Sequence, residues 1–218
     1  MSQIYTNSHR ELQQQFGTRA LADTIEGAAL VTTLQDDQMA FIERQIMFFL
    51  SSLDEQGRPT VSYKGGAVGF VKVLNESQLM FPSYDGNGMF YSMGNIAANE
   101  QVGLLFVDFQ TPNRLRVQGR AQLVQEGPEI AVYPGADLVV KVDIDQAWVN
   151  CSRYVHKLAL DNPSPYVPDA DGTAPVALWK RIEGMAALLS AQDQIQVQSA
   201  GTITAQAYAQ KLEAGEVL

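Results

Sequence analysis

The chain has 218 residues, of which 46% are hydrophobic, and its 24 acidic and 15 basic side chains give a formal net charge of −9. This length suffices for one large core, and the acidic balance argues against broad nucleic-acid binding, which needs a basic surface. The single cysteine, Cys151, excludes an intrachain disulfide and is typical of a cytoplasmic protein. No apolar run approaches the roughly 20 residues that span a bilayer, and the polar N-terminus shows no signal peptide.

Helical patterns come first along the chain. Ser8 and Glu11 have the spacing of a capping box, which predicts a short helix up to about Phe16, and a second helix is predicted over residues 20–26. A third helix is predicted over residues 36–44. We assign residues 1–45 to an N-terminal helical segment that packs on the next domain.

Short apolar runs, each closed by turn residues, follow. They predict strands over residues 47–53, 60–64, 70–74, 78–81, 102–109, 114–124 and 138–149. Residues 54–57 form the predicted hairpin turn between the first two. Strands this short and this close in sequence favour an antiparallel barrel over a parallel sheet.

A polar, glycine-rich break at residues 83–88 interrupts the strands. It opens into a segment where Met89, Met93, Ile96 and Ala97 share one helical face, so the methionine stripe is predicted to lie in the core. The pattern places the helix N-terminus at residues 86–88. Free backbone N–H groups and the positive end of the helix dipole at that point suit an anion such as a phosphate.

Basic residues lie on the strands on either side of this break. Lys64 is on an earlier strand, and Arg114 and Arg116 are two residues apart on a later one, hence on the same face. Two basic strands around a polar turn and a helix N-terminus predict a site for a phosphorylated cofactor.

The last part of the chain is less regular. Residues 161–176 contain four of the nine prolines and predict an irregular loop, followed by helices over residues 176–189 and 202–213. Residues 193–199 alternate like a strand. We assign residues 161–218 to a proline-rich loop and C-terminal helices. Cys151 follows an apolar strand and is predicted to be a buried, inert thiol.

Motifs of other chemistries are missing from the sequence. It contains no CxxC pair and no HExxH, so no metal site is predicted, and it has neither a GxSxG elbow nor a phosphate-binding loop of the Walker type. No side chain is identified as catalytic.

Five segments, in this order, resemble the pyridoxamine 5′-phosphate oxidase-like family of FMN-binding split barrels: VSYKGGAVGFVKVL, DGNGMFYSMGNI, VGLLFVDF, RLRVQGRA and VNCSRYVH. The resemblance covers about residues 40–160 and is strongest to the generic flavin-nucleotide-binding branch. It implies a mainly β fold with flanking helices, in which a six-stranded antiparallel split β-barrel over residues 46–160 binds FMN. It also implies a homodimer with FMN in two clefts at the interface.

The resemblance implies roles for particular residues. It places Val61, Ser62, Tyr63 and Lys64 along the FMN ribityl chain and phosphate, and Pro82, Ser83 and Tyr84 beside the ring or the ribityl chain. It places Asn87 and Gly88 at the phosphate. Arg114 and Arg116 are expected to reach the flavin or the phosphate. The sequence departs from the family at Gly88, near which relatives usually carry a basic residue. The absence of that basic residue has three possible consequences: FMN binding is weaker, Arg116 or Lys72 compensates for the missing charge, or the ligand is a different one.

These observations predict an FMN-dependent oxidoreductase that acts on a small-molecule substrate, with NADH or NADPH as candidate electron donors. Vitamin B6 oxidase activity itself is disfavoured, because the C-terminal strand typical of those enzymes is not evident. The alternatives are a flavin store or redox sensor without turnover, and the same scaffold binding deazaflavin or haem. For haem, the available histidines are His9 and His156.

Overall fold

The computed structural model describes residues 2–215, which divide into two compact units at the junction of Leu160 and Asp161. The first unit contains all eight strands: β1 Leu30–Val31, β2 Met47–Leu53, β3 Pro59–Gly65, β4 Lys72–Asn75, β5 Gln78–Tyr84, β6 Gln101–Asp108, β7 Asn113–Val124 and β8 Ala136–Asn150. Its helices are α1 Asn7–Gln15, α2 Arg19–Ala29, α3 Asp36–Glu43, α4 Tyr91–Ala98 and α5 Pro128–Ala131. None of the described helices is long and apolar enough to cross a membrane.

The strands form one sheet in the order β3-β2-β6-β7-β8-β5-β4, and β1 pairs with the end of β8. Every pairing between strands is antiparallel. The predicted class, mainly antiparallel β with flanking helices, is therefore confirmed. The count is eight strands instead of six because β1, with two residues, and β4, with four, are short additions to the sheet.

Three fully buried phenylalanines mark the centre of the core. Phe48 on β2 lies 4.9 Å from Phe81 on β5 and 5.1 Å from Phe106 on β6, between ring centroids. Three strands separate β2 from β5 in the sheet order. Their side chains meet because the sheet curls around the core, and burying each ring contributes about 1.5–3 kcal/mol.

Strand β7 shows how the sequence separates the two faces of the sheet. Leu115 and Val117 are buried in the core, whereas Arg116 between them is exposed on the outer face. Gly119 occupies an inner position where the pairing with β8 shifts register, and an added Cβ would meet the Asp143 carbonyl oxygen. Glycine permits this close backbone approach.

Helix α4 begins later than the sequence predicted. Residues 86–88 lie in a loop, in which the Asn87 side-chain oxygen accepts a hydrogen bond from the Met89 N–H at 3.1 Å. Phe90 has φ +47° and ends this loop, so the first helical residue is Tyr91. Met93 is buried as predicted, but Met89 precedes the helix and is 67% exposed.

The capping of α1 also differs from the prediction. Thr6, not Ser8, is the N-cap, and its backbone N–H donates to His9 Nδ1 at 3.0 Å. The helix itself ends before Phe16, as predicted. Cys151 follows the last residue of β8 and is exposed, because the strand ends at Asn150, so the prediction of a buried thiol is wrong.

The second unit contains two short 3₁₀ helices, Leu178–Arg181 and Ala186–Leu188, and two α-helices, α6 Ala191–Ala200 and α7 Ala205–Glu213. The predicted helix over residues 176–189 is wrong, since Gly184 at φ +88° interrupts it. The strand-like pattern over residues 193–199 is helical instead. Ser190 starts α6 by accepting a hydrogen bond from the Asp193 N–H at 3.1 Å.

Candidate functional site

A cleft of about 270 Å³, which we name the α4 cleft, lies between β3, β5 and the start of α4. Thr60, Ser62 and Lys64 line it from β3. The loop between β5 and α4 forms the opposite side, and Asp137 of β8 also contributes. Strands β3 and β5 both reach the cleft because the sheet curls.

The position of Ser62 and Lys64 follows from the alternation of β3. Ser62 pairs with Leu50 and Lys64 pairs with Phe48, and both partners are fully buried in the core. Paired residues point to the same face of a sheet, so Ser62 and Lys64 belong to the inner face. Val61 and Tyr63 consequently belong to the outer face, where they are 66% and 62% exposed.

Two hydrogen bonds between side chains hold α4 against the inner edge of the sheet. Ser92 Oγ donates to Ser62 Oγ at 3.0 Å, and Asn95 Nδ2 donates to Ser52 Oγ at 3.1 Å. Met93 and Ile96 pack in the core on the same side of the helix. The first turn of α4 is thereby fixed beside β3.

The start of α4 is free to receive an anion. Its N-cap residue, Phe90, makes no side-chain hydrogen bond to the helix, so Phe90 leaves the first backbone N–H groups able to donate. Phe90, at the N-cap, is the one residue other than glycine with positive φ in the described part of the chain. Such backbone strain costs about 1 kcal/mol or more and is common at functional sites.

Lys64 supplies the positive charge of the α4 cleft. It forms no ion pair with any residue between 2 and 215, and burial lowers the pKa of its ammonium group. Burial also raises the pKa of the Tyr84 hydroxyl nearby. Desolvation disfavours a charged lysine, so an anion in the cleft would restore the charged form.

The cleft has few other charges. Asp85 and Asp137 line it, and Lys64 is its one basic residue among those described. The first turn of α4, from Tyr91, contains no basic residue either. Gly88 has φ +74°, and a Cβ added there would meet no atom within 4 Å.

The structure brings together six of the eleven residues expected to bind the cofactor: Ser62, Lys64, Ser83, Tyr84, Asn87 and Gly88 all line the α4 cleft. The other five lie elsewhere in the chain. Val61 and Arg116 line a groove of about 650 Å³ on the outer face, which we name the outer groove. Tyr63 is on the same face, and Pro82 is buried in β5. Arg114 lies beside α3, close to Asp37 and Arg44.

Sequence reasoning missed several residues of the cleft. Thr60 could have been found, because it precedes Ser62 by two residues on the same strand face. Ser92 was obscured because the helix start was placed too early. Asp137 is brought in only by the pairing of β8 with β5, and no local signal indicates it.

A comparison with known families gives one match to this part of the chain. The sequence model of the pyridoxamine 5′-phosphate oxidase family matches residues 34–148, which span the sheet from α3 to β8. The chain belongs to the pyridoxamine 5′-phosphate oxidase family. Its antiparallel sheet with flanking helices is of the family's split-barrel class. No curated protein matches the sequence.

Solved structures that are similar to part of this chain include three from different sources. An FMN-binding protein from Syntrophomonas wolfei shares 10% identity over 64% of this chain and 97% of its own, with a TM-score of 0.40. HutZ, the haem storage protein of Vibrio cholerae, shares 17% identity over 54% of this chain and 94% of its own, also with a TM-score of 0.40. An F420 reductase shares 19% identity over 52% of this chain and 98% of its own, with a TM-score of 0.40.

Proposed function

We propose that this member of the pyridoxamine 5′-phosphate oxidase family binds FMN in the α4 cleft and works as an FMN-dependent oxidoreductase. The observation that carries the proposal is Lys64, a desolvated lysine without a carboxylate partner among the described residues, beside the uncapped start of α4. A cation and free backbone N–H groups at one point are what a phosphate requires.

The residues of the α4 cleft fit the phosphate end of FMN. Lys64 would pair with the phosphate, the N–H groups at the start of α4 would donate to its oxygens, and the Ser62 hydroxyl would lie alongside. The cleft, at about 270 Å³, is smaller than the roughly 300–1,000 Å³ of a typical ligand site. The flavin ring would therefore extend out of the mouth, near the exposed Phe90 and Tyr91.

A homodimer would enclose the ring. Tyr63, Phe49, Leu105, Arg116 and Trp148 form one row of cross-strand neighbours on the outer face. Tyr63 is exposed and its apolar neighbours Phe49, Leu105 and Trp148 are half-buried in the single chain. An apolar face that stays partly exposed in this way can mark an interaction surface. We infer that a second copy of the chain covers the outer groove and brings Arg116 towards the flavin held by its partner.

The flavin, when bound, would supply the electron transfer. The protein's own contribution is to hold the phosphate, to orient the ring and to exclude water from it. The described residues of the α4 cleft include no histidine or cysteine, the side chains that most often transfer protons near neutral pH. NADH or NADPH is the proposed electron donor, and a small molecule the proposed acceptor.

A titration of the full chain with FMN tests the proposal. Lys64→Gln should weaken FMN binding by about tenfold or more, because it removes a charge-assisted phosphate contact. Lys141→Gln is the matched control: Lys141 is a half-buried strand lysine outside the cleft, paired with Glu129 at 3.5 Å. Equal affinity of both variants would contradict the phosphate role of Lys64.

Turnover separates the enzyme from a flavin store or redox sensor. The enzyme should oxidise NADH or NADPH faster than free FMN does at equal concentration. A store would bind FMN and show no rate above that of free flavin. A haem or deazaflavin protein would take up that ligand in preference to FMN in direct competition.

A further inference from the structure

A small pocket, which we name the α3 pocket, lies between helix α3 and the start of β7. It measures about 170 Å³ and shares no residue with the α4 cleft or with the outer groove. At about 30 Å³ for each water molecule, this space equals that of roughly five or six waters. It therefore suits a ligand of the size of a small amino acid such as alanine, and it is too small for a cofactor.

Arg114 of β7 supplies a cation to the α3 pocket. Its guanidinium forms no ion pair with a residue between 2 and 215, and its Nε is buried without a hydrogen-bond acceptor there. Buried donors are normally paired with protein, water or ligand. Because a guanidinium is always charged and binds a carboxylate through two parallel hydrogen bonds, a ligand carboxylate would satisfy Arg114.

Asp37 of α3 supplies an anion to the same pocket. It lies in the first turn of the helix, where the helix dipole favours a negative charge. The Asp37 carboxylate forms no ion pair within the part of the chain that the structure describes. Asp37 and Arg114 thus line one pocket with opposite charges and do not pair with each other.

The second arginine of the pocket, Arg44, is already occupied. Its guanidinium lies over the Phe41 ring, 4.7 Å from the ring centroid, and its Nη2 is 4.0 Å from Asp108 Oδ2. Asp108 offsets the charge of Arg44, although weakly at this distance. The two charges of the pocket that remain without a partner among the described residues are those of Arg114 and Asp37.

Apolar side chains complete the lining. Phe41 and Leu115 are buried and contribute apolar surface from α3 and β7, and Val149 of β8 is 42% exposed. A small apolar group of a ligand would be shielded from water against them. The volume of the pocket leaves no room for a large side chain.

We propose that the α3 pocket binds a zwitterionic α-amino acid with a small apolar side chain. The ligand carboxylate pairs with Arg114, its ammonium group pairs with Asp37, and its side chain lies against the apolar lining. Such a ligand carries both charges on one carbon atom, so it bridges two side chains that do not reach each other. The proposal does not depend on flavin binding.

Ligand-observed NMR titrations of the full chain test the site. Three probes of similar size are compared: L-alanine, which has both charges; propionate, which lacks the ammonium group; and ethylamine, which lacks the carboxylate. We expect saturable binding of L-alanine. Binding of propionate and of ethylamine should be weaker by about tenfold or more, because each loses one charge-assisted contact.

Variants of the two charged residues assign the contacts. Arg114→Gln should weaken L-alanine by about tenfold or more and should also weaken propionate. Asp37→Asn should weaken L-alanine by a similar factor but leave propionate unchanged, because propionate has no ammonium group. A general loss of structure would weaken both probes in both variants, so the unchanged propionate binding of Asp37→Asn separates a contact from a folding defect.

Three further variants serve as controls and should leave L-alanine binding unchanged. Asp36→Asn removes the neighbouring acid of the same helical turn, which does not line the pocket. Arg120→Gln removes an arginine of the same strand that pairs with Asp145 at 3.4 Å, and Lys64→Gln alters the α4 cleft. Absence of saturation with L-alanine, equal binding of propionate, equal effects at Asp36 and Asp37, or loss of binding in Lys64→Gln would each overturn the proposal.

Discussion

Ser92 of α4 donates a hydrogen bond to Ser62 of β3, with 3.0 Å between the two Oγ atoms. Ser92 is buried, and Ser62 lies two residues from Lys64 on the same strand face. The bond therefore joins the start of the helix to the strand that carries the cation. Through it, the two parts of the proposed phosphate site keep a fixed separation.

A double-mutant cycle should detect this bond. Ser62→Ala and Ser92→Ala should each lower the free energy of unfolding, and the pair should show a coupling of about 0.5–1.5 kcal/mol, the net value of a typical hydrogen bond. Urea unfolding of the two single variants and the double variant measures it. Strictly additive effects would show that the two hydroxyls contribute independently to stability.

Phe48 should be among the most sensitive positions of the core. Its ring contacts rings from β5 and β6, so Phe48→Ala should lower the free energy of unfolding by about 3–5 kcal/mol. Phe16→Ala serves as the control, since Phe16 is 70% exposed and its loss should change stability by less than about 0.5 kcal/mol. Similar midpoints of thermal unfolding for the two variants would contradict the core assignment.

The backbone strain at Phe90 can be measured with two substitutions. Phe90→Gly and Phe90→Ala both remove the half-exposed ring, but only glycine adopts φ +47° without cost. We expect the glycine variant to be more stable than the alanine variant by about 1 kcal/mol in urea unfolding. An alanine variant as stable as the glycine variant would mean that Phe90 is not held in the left-handed region.

The lowered pKa of Lys64 predicts a specific dependence of stability on pH. Folded Lys64 loses its proton at a lower pH than the ordinary lysine pKa of 10.5, because burial disfavours its charged form. Between the folded pKa and 10.5 the unfolded chain binds more protons, so the free energy of unfolding should rise with pH there. At a pH below the pKa of Lys64 in the folded protein, Lys64 is protonated in both the folded and the unfolded chain. Its contribution to the free energy of unfolding is then independent of pH.

Comparison with Lys64→Met isolates that contribution. The difference in free energy of unfolding between the natural protein and the variant should shift in favour of the natural protein as pH rises through the alkaline window. FMN affinity of the natural protein should fall over the same window, because the neutral amine no longer pairs with phosphate. A difference that stays flat up to pH 10.5 would show that Lys64 is not desolvated in the folded state.

The antiparallel sheet and its hairpins were predictable from the sequence because their signals are local. Asp54 and Gly57 mark the β2–β3 turn, where the Asp54 carboxylate accepts hydrogen bonds from the Gln56 and Arg58 backbone N–H groups. The start of α4 was not predictable in the same way. It depends on the Asn87 turn and on the strained conformation of Phe90, which helical periodicity does not reveal.

The site was predicted in part, and β3 shows why. Val61, Ser62, Tyr63 and Lys64 are consecutive on a strand, so they cannot all face one ligand within a single chain. The resemblance to the family assigned all four to the cofactor, and the structure divides them between two faces. Arg116 likewise lies on the outer face, so its proposed contact with FMN requires a partner subunit.

The central claim, that the α4 cleft binds FMN, is tested most directly by an absorbance spectrum of the purified protein with mass spectrometry of any ligand released from it. We predict flavin absorbance and the mass of FMN, with both lost or strongly reduced in Lys64→Gln and retained in Lys141→Gln. A haem spectrum, or a colourless protein that takes up no added FMN, would contradict the claim.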